Sequence, residues 1–128
     1  MKILFIAILV STSAFSQSAD KCQKTKIQRT APKIEEVELC FGDSPSLYMT
    51  KNANIEKIKD LSKNKKVDIH PASSGPSLEA CRGLGGSPEI IKILEKDKWI
   101  SSERCVFQDT TPFSVSGAYL LKIGFPDL

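Results

Sequence analysis

The sequence predicts a small α+β domain with antiparallel hairpins and two or three short helices, stapled by two disulfides. Four cysteines in a chain of 128 residues form an even set, which in a small exported protein favours disulfide pairing. Several short runs alternate apolar with polar residues, the period of half-buried strands. Clusters of glycine and proline separate these runs. We therefore expect a single domain over residues 17–128.

The first 16 residues have the pattern of a secretory signal peptide. A charged start at Met1-Lys2 precedes an apolar run over residues 3–10, far below the roughly 20 residues of a spanning helix. Ala14-Phe15-Ser16 then supplies small residues at the spacing of a cleavage site. We expect cleavage after Ser16 and an exported location, periplasmic or secreted. A buried N-terminal helix is the alternative interpretation.

The mature chain would carry an almost balanced charge. Loss of Lys2 leaves 17 basic side chains against 15 acidic ones in the remaining 112 residues. Such a chain has no basic excess to attract nucleic acid or an anionic membrane. We expect no nucleic-acid partner, no stable membrane insertion and a monomer that meets an unidentified envelope or extracellular partner.

The N-terminal cysteine pair predicts a hairpin over residues 21–41. Four cysteines allow three connectivities, and we expect Cys22 to pair with Cys40 and Cys81 to pair with Cys105. A bridge between opposite residues would set a constant sum of 62 for the position numbers across the hairpin. Two oppositely charged cross-strand pairs would follow: Lys24 with Glu38 and Lys26 with Glu36.

Three further elements are predicted outside the central segment. Asn54 caps a helix over residues 54–63, whose apolar stripe is Ile55, Ile58 and Leu61. Residues 46–50 form a short strand, and Val67 and Ile69 alternate as another one that ends at Pro71. Thr111-Pro112 starts a C-terminal helix that carries Val115, Tyr119 and Leu120 and ends before Gly124.

The segment over residues 76–109 is the most informative part of the chain. Ser77 is predicted to cap a helix over residues 78–84, which Gly85 ends in a left-handed conformation before Gly86. Residues 88–100 favour two strands because isoleucine is frequent there, although Ser87-Pro88-Glu89 is also a good helix start. In either structure we expect Trp99 to be mostly buried against residues 90–94.

The same segment carries a resemblance to a known family. Pro76, Cys81 and Gly85-Gly86, followed by Cys105-Val106-Phe107 and Asp109, resemble the small exported bacterial DUF333 family. Proteins of that family are often labelled haemolysins. The resemblance covers about a quarter of the chain and implies export and a strand that returns to Cys105. It brings no catalytic residue.

No group of residues predicts a reaction, a metal site or a cofactor. His70 is the only histidine and stands at a predicted strand end, so any acid–base pair would need it. The cysteines include no Cys-x-x-Cys pair, and the glycines at 83–86 follow a helix where a phosphate cradle would precede one. Two charged groups are interpreted as solvated surface: Glu35, Glu36 and Glu38, and Lys63, Lys65 and Lys66.

We therefore expect a non-enzymatic exported binding module, for which Cys22, Cys40, Cys81, Cys105, Gly85, Gly86, Trp99 and Phe107 form the structural frame. A membrane-active, haemolysin-like protein is the alternative that the family label implies. A small hydrolase using His70 is the third hypothesis.

Overall fold

The computed structural model describes residues 21–70 and 75–128. The predicted signal peptide and the loop residues 71–74 lie outside these ranges. The chain order is β1 (Lys21–Thr30), β2 (Lys33–Phe41), β3 (Tyr48–Thr50), α1 (Ile55–Asn64), α2 (Pro76–Gly83), β4 (Ser87–Glu95), β5 (Lys98–Phe107), β6 (Phe113–Ser116) and α3 (Gly117–Gly124). The strands form a closed antiparallel barrel in the order β1-β2-β3-β6-β5-β4. This confirms the α+β class, and the closed barrel is more specific than the predicted hairpins.

Alternation along the strands creates two separate apolar cores. Side chains of one parity point into the barrel, where Tyr48 is buried, and those of the other parity point outward, as Met49 does. The barrel core consists of Ile27, Leu39, Tyr48, Ile91 and Ile93. The helix-side core lies between the helices and the outer face of β5 and β6, and it consists of Ile58, Ala80, Cys81, Leu84, Cys105, Phe107, Phe113, Val115 and Leu120.

The hairpin of β1 and β2 has the predicted register. Cys22 lies opposite Cys40 and is bonded to it. Lys24 lies opposite Glu38 and Lys26 opposite Glu36, as the constant sum of 62 requires. The pairing becomes irregular only beyond Ile27, near the turn at Ala31-Pro32.

The strand interpretation of residues 88–100 is confirmed. β4 and β5 pair continuously from Ser87 opposite Val106 to Glu95 opposite Lys98. Lys96 and Asp97 form the two-residue loop between them, and both have positive φ angles, 46° and 68°. This is the backbone of a type I′ turn, whose twist matches that of the strands it joins.

The second disulfide joins α2 to the barrel. Cys81 on α2 is bonded to Cys105 on β5, as predicted. Gly85 has a φ of +90°, the left-handed conformation expected after the helix. The backbone N–H of Gly86 donates to the Cys81 carbonyl at 2.8 Å, so the chain returns to β4 directly beside the disulfide.

Two predicted helix starts are wrong because tertiary contacts override the local signals. Gly75 is the N-cap of α2 and Pro76 its first residue, while the Ser77 hydroxyl donates to Glu103 on β5. Thr111-Pro112 does not start a helix either: Val115 lies in β6, where it pairs with Met49 and Cys105. Ser116 instead caps α3 by accepting from the Tyr119 N–H.

The remaining helix is confirmed and one strand is not. Asn54 caps α1 by accepting from the Lys57 N–H at 3.0 Å, and Ile58 is the buried residue of its stripe. The predicted strand at Val67 and Ile69 is absent from the described residues, because these side chains pack on the helix-side core without a neighbouring strand. The strand predicted over residues 46–50 is only the three residues of β3.

Candidate binding site at the open end of the barrel

Most of the predicted frame residues are structural. Cys22 and Cys40 fasten β1 to β2, and Cys81 and Cys105 fasten α2 to β5. Phe107 lies in the helix-side core, where its ring stacks on Phe113 with the centroids 5.3 Å apart. The sequence grouped these residues around one scaffold, and the candidate site described below lies elsewhere.

Trp99 is the exception, because it is less buried than the sequence predicted. It lies on the outer face of the barrel opposite Leu94 and is 38% exposed. The helices cover this face of β5 only at its other end, at Cys105 and Phe107. The next residue, Ile100, points the opposite way and is 46% exposed at the barrel rim. Exposed tryptophan is characteristic of interaction surfaces because its large rigid side chain anchors protein partners.

A cavity of about 200 Å³ opens beside Ile100. It lies between the loop after β2 and the hairpin tip of β4 and β5, and its lining is mainly apolar with three serines: Phe41, Pro45, Ser46, Ile93, Glu95, Ile100, Ser101 and Ser102. Next to the lining, the Tyr48 hydroxyl lies 2.6 Å from the Ser102 hydroxyl. The pKa of Tyr48 is raised above its ordinary value, mainly because the side chain is buried.

The loop that forms one wall, residues 42–47, is held by hydrogen bonds at both ends. The Gly42 N–H donates to the Leu47 carbonyl at 2.7 Å, which closes the loop on itself. The buried Ser116 hydroxyl donates to the Ser46 carbonyl at 2.7 Å and accepts from the Tyr48 N–H at 3.2 Å. Because the same hydroxyl caps α3, the cavity wall is tied to the helix as well as to β3. Such a wall is preorganised for binding.

A second, more open groove of about 350 Å³ continues from the cavity. The two share Phe41, Pro45 and Glu95, and the groove extends along Lys21 and Gln23 of β1. Its charged lining is balanced, with Lys21 and Lys96 against Asp43 and Glu95. A partner is therefore not selected here by strong charge of one sign.

The free edge of β1 runs along this groove. Pairing between β1 and β4 is restricted to Ile27 with Ile93 and Gln28 with Lys92. Residues 21–26 consequently pair with β2 on one side and, within the described ranges, have no paired strand residue on the other. Unpaired N–H and C=O groups on such an edge can accept a further strand from another protein.

The other candidate groups of the sequence do not join this site. His70 is exposed, with its Nδ1 atom 3.2 Å from Glu79 Oε2. Glu35 and Glu38 of the acidic group do not line the cavity. Glu35 pairs with Arg29 instead, and Glu38 lies 3.8 Å from Lys51. Lys63, Lys65 and Lys66 line an open groove with Phe125 at the end of α1. Among the described residues, no group of three His, Cys, Asp or Glu side chains is placed to hold a metal ion.

Within residues 21–70 and 75–128, none of the helices has the length and apolarity needed to cross a membrane.

Sequence reasoning missed Tyr48, Ser102 and Ile100. Tyr48 and Ser102 are 54 positions apart, and no local pattern connects them. A usable signal existed for Ile100: once the turn at residues 96–97 is set, alternation places Ile100 opposite Ile93 on the inner face. The same alternation places Trp99 on the outer face, so the two neighbours would be predicted to lie on opposite faces of β5.

No family model, curated protein or solved structure matches this chain. The resemblance of residues 76–109 to the DUF333 family thus stays a prediction, and the function must be argued from the site itself.

Proposed function

We propose that this chain is an exported, non-enzymatic protein that binds an extended segment of a partner protein at the open end of its barrel. The observation that carries the proposal is the juxtaposition of exposed Ile100 with a partly apolar cavity, one residue from exposed Trp99. The partner belongs to the cell envelope or the extracellular space, in agreement with the expected signal peptide.

The shape of the site supports a protein segment as its occupant. The cavity of about 200 Å³ is smaller than the roughly 300–1,000 Å³ of typical small-molecule sites, but it accommodates one apolar side chain. The open groove leads from this cavity along the free edge of β1. An extended segment can therefore pair with residues 21–26 and place one side chain in the cavity, the mode known as strand addition.

The energetics of this mode are adequate for a specific complex. Burial of one leucine or phenylalanine side chain contributes about 1.5–3 kcal/mol. Trp99, which lies one residue from Ile100 but on the outer face of β5, adds a residue type that often dominates binding energy in protein interfaces. Lys21, Lys24 and Lys26 on the β1 strand also protect its edge from unspecific pairing, since charged edge residues discourage aggregation.

The disulfides indicate the compartment in which binding takes place. All four cysteines are paired, and such bonds persist in oxidising environments outside the cytoplasm. We propose the periplasm or the secreted fraction as the location, and a monomer as the binding-competent form.

A pull-down from envelope extract with three oxidised baits tests the proposed function. The baits are the wild-type protein, Ile100→Asp at the cavity rim, and Ile34→Asp as a matched control at the far end of β2. Ile34 is 53% exposed and outside the cavity lining, so its substitution changes the same chemistry away from the site. We expect a protein captured by wild type and Ile34→Asp to be lost from Ile100→Asp. Equal capture by all three baits would overturn the proposal.

A liposome leakage assay separates this function from the membrane-active alternative. We expect the purified protein to release no dye from vesicles of envelope lipid. Release by wild type that persists in Ile100→Asp would favour the haemolysin-like alternative, because it would show an activity independent of the barrel rim.

A further inference from the structure

The end of the barrel opposite the site above carries a row of charged side chains. Glu35, Arg29, Glu89 and Arg104 come from β2, β1, β4 and β5, so the row crosses four neighbouring strands. Their signs alternate along the row. Arg104 is only 7% exposed and is the last member.

The contacts define the row. Arg29 Nε donates to Glu35 Oε2 at 2.7 Å, and Arg29 Nη1 lies 4.0 Å from Glu89 Oε2. The other carboxylate oxygen of Glu89 accepts from Arg104 Nε at 2.8 Å and lies 2.6 Å from Arg104 Nη2. Beyond Arg104 the row continues only to a neutral group, the Ser114 hydroxyl, which lies 3.3 Å from Arg104 Nη1.

The buried guanidinium has spare hydrogen-bonding capacity. Arginine has five N–H donors, and the contacts with Glu89 and Ser114 use three of them. One donor on Nη1 and one on Nη2 thus have no acceptor among the described residues. Buried donors are nearly always satisfied, and those without a protein acceptor point to another group beside them.

A cavity of about 170 Å³ lies beside these donors. Its lining combines both arginines with two hydroxyl-bearing residues and three apolar ones: Arg29, Arg104, Thr50, Ser114, Val106, Pro112 and Phe113. An anion bound in this cavity would place a negative charge beside Arg104, the positively charged last residue of the row. It would also face Ser114, whose hydroxyl accepts from Arg104 and keeps its own proton to donate.

We propose that this cavity is a second binding site, specific for a small monocarboxylate held by Arg104 and Ser114. Guanidinium and carboxylate are matched planar groups that form paired hydrogen bonds. Val106, Pro112 and Phe113 then face the apolar substituent of the acid.

The charge balance favours a monoanion over phosphate or sulfate. Two arginines and two glutamates already cancel, so a carboxylate leaves one net negative charge in the site and a dianion leaves two. Partial burial makes each uncompensated charge costly.

Acetate is the probe for the first test, followed through the Nε–Hε signals of ¹⁵N-labelled arginine at constant ionic strength. The chain has three arginines, and Arg82 on the exposed surface of α2 is an internal control. We expect a saturable shift of the Arg104 signal with a Kd on the order of 1–10 mM, the range for so small a ligand. The Arg82 signal stays unchanged, and sulfate gives no saturable shift.

Two variants decide whether the shift reports this cavity. Ser114→Ala removes one donor to the carboxylate and should weaken acetate binding about tenfold. Val106→Asp keeps all four charged residues and places a competing carboxylate in the cavity, so acetate binding should be lost. The inference is overturned if Arg104 does not respond, if Arg82 responds equally, or if both variants bind acetate like wild type.

A short peptide with a free C-terminus and its C-terminal amide distinguish the source of the carboxylate. Tighter binding of the free peptide than of acetate indicates a chain-terminal carboxylate as the ligand. Binding no tighter than acetate, with the amide inactive, indicates a free small acid.

Discussion

At the scale of single residues, Gly86 shows how tightly the second disulfide is enclosed. A Cβ atom built at this position would lie 2.3 Å from Cys105 Sγ and 3.1 Å from Cys81 Sγ. Real side chains do not approach sulfur so closely, so the backbone passes the disulfide only where a side chain is missing. The two glycines are therefore needed for different reasons. Gly85 adopts a left-handed backbone conformation, and Gly86 lets the backbone approach the disulfide closely.

Gly86→Ala should destabilise the oxidised protein by about 2–4 kcal/mol, because the added methyl group overpacks the disulfide. Gly124→Ala is the matched control, since a Cβ there has its nearest neighbour at an ordinary 3.6 Å. Thermal unfolding followed by circular dichroism measures both. A Gly86→Ala variant that melts with the control would show that the disulfide is less confined than described.

Glu35 gives a pH-dependent test. The hydrogen bond from Arg29 is the main cause that lowers the pKa of Glu35 below its ordinary value. The folded pKa is thus below the unfolded value of about 4.3, so the pair stabilises the fold above that pH, and the stabilisation is lost as pH falls through the folded pKa. Arg29 is nearly half exposed, which limits the contribution to about 0.2–1 kcal/mol at pH 7.

We expect Glu35→Gln to lower the free energy of unfolding by this amount at pH 7 and by progressively less below about pH 4. Urea unfolding at several pH values measures the difference. In an Arg29→Gln background the same substitution should have no such pH dependence. A loss that is constant from pH 7 to pH 3 would contradict the assigned cause.

At the scale of elements, the hairpin of β4 and β5 carries the rim of the proposed site on a strained turn. Lys96 and Asp97 both adopt positive φ, a conformation that costs non-glycine residues roughly 1–2 kcal/mol. Type I′ turns favour Asn-Gly at these positions.

Replacing Lys96-Asp97 by Asn-Gly should raise the free energy of unfolding by about 1 kcal/mol, because it relieves this strain. Lys98→Asn alters the adjacent strand residue without touching the turn and serves as the control. Chemical unfolding distinguishes the two variants. If Asn-Gly gives no gain over Lys98→Asn, the turn is not of type I′.

The elements show where sequence reasoning succeeds. The register of β1 and β2 follows from one cysteine pair, since opposite positions in an antiparallel hairpin have a constant sum. The helix at Asn54 follows from local capping. Thr111-Pro112 failed as a helix start because β6 is held by pairing with β3 and β5, which are distant in sequence.

The site was less predictable than the elements. Because Trp99 is apolar, the sequence predicted that it would be mostly buried. The topology of the whole domain decides which face of β5 the helices cover, and they leave Trp99 partly exposed. The row from Glu35 to Arg104 also depends on barrel closure, because its members lie on four strands that only the closed sheet brings together.

At the scale of the whole molecule, the barrel has two unlike ends. The open end is bordered by Ile100 and the free edge of β1, with Trp99 one residue away on the outer face, whereas the opposite end carries paired charges. The apolar barrel core lies between them. The two disulfides and the packed helices stabilise the barrel, so its open end needs no covering element to keep the fold.

The most direct test of binding at the open end of the barrel uses the single tryptophan. Trp99 is the only tryptophan of the chain, so labelling with 5-fluorotryptophan gives one ¹⁹F signal that proteins of an envelope extract cannot obscure. On addition of the extract, we expect this signal to shift or broaden in the wild-type and Ile34→Asp proteins and to remain unchanged in Ile100→Asp. An unchanged wild-type signal in an extract from which the same protein captures a partner would contradict binding at the open end of the barrel.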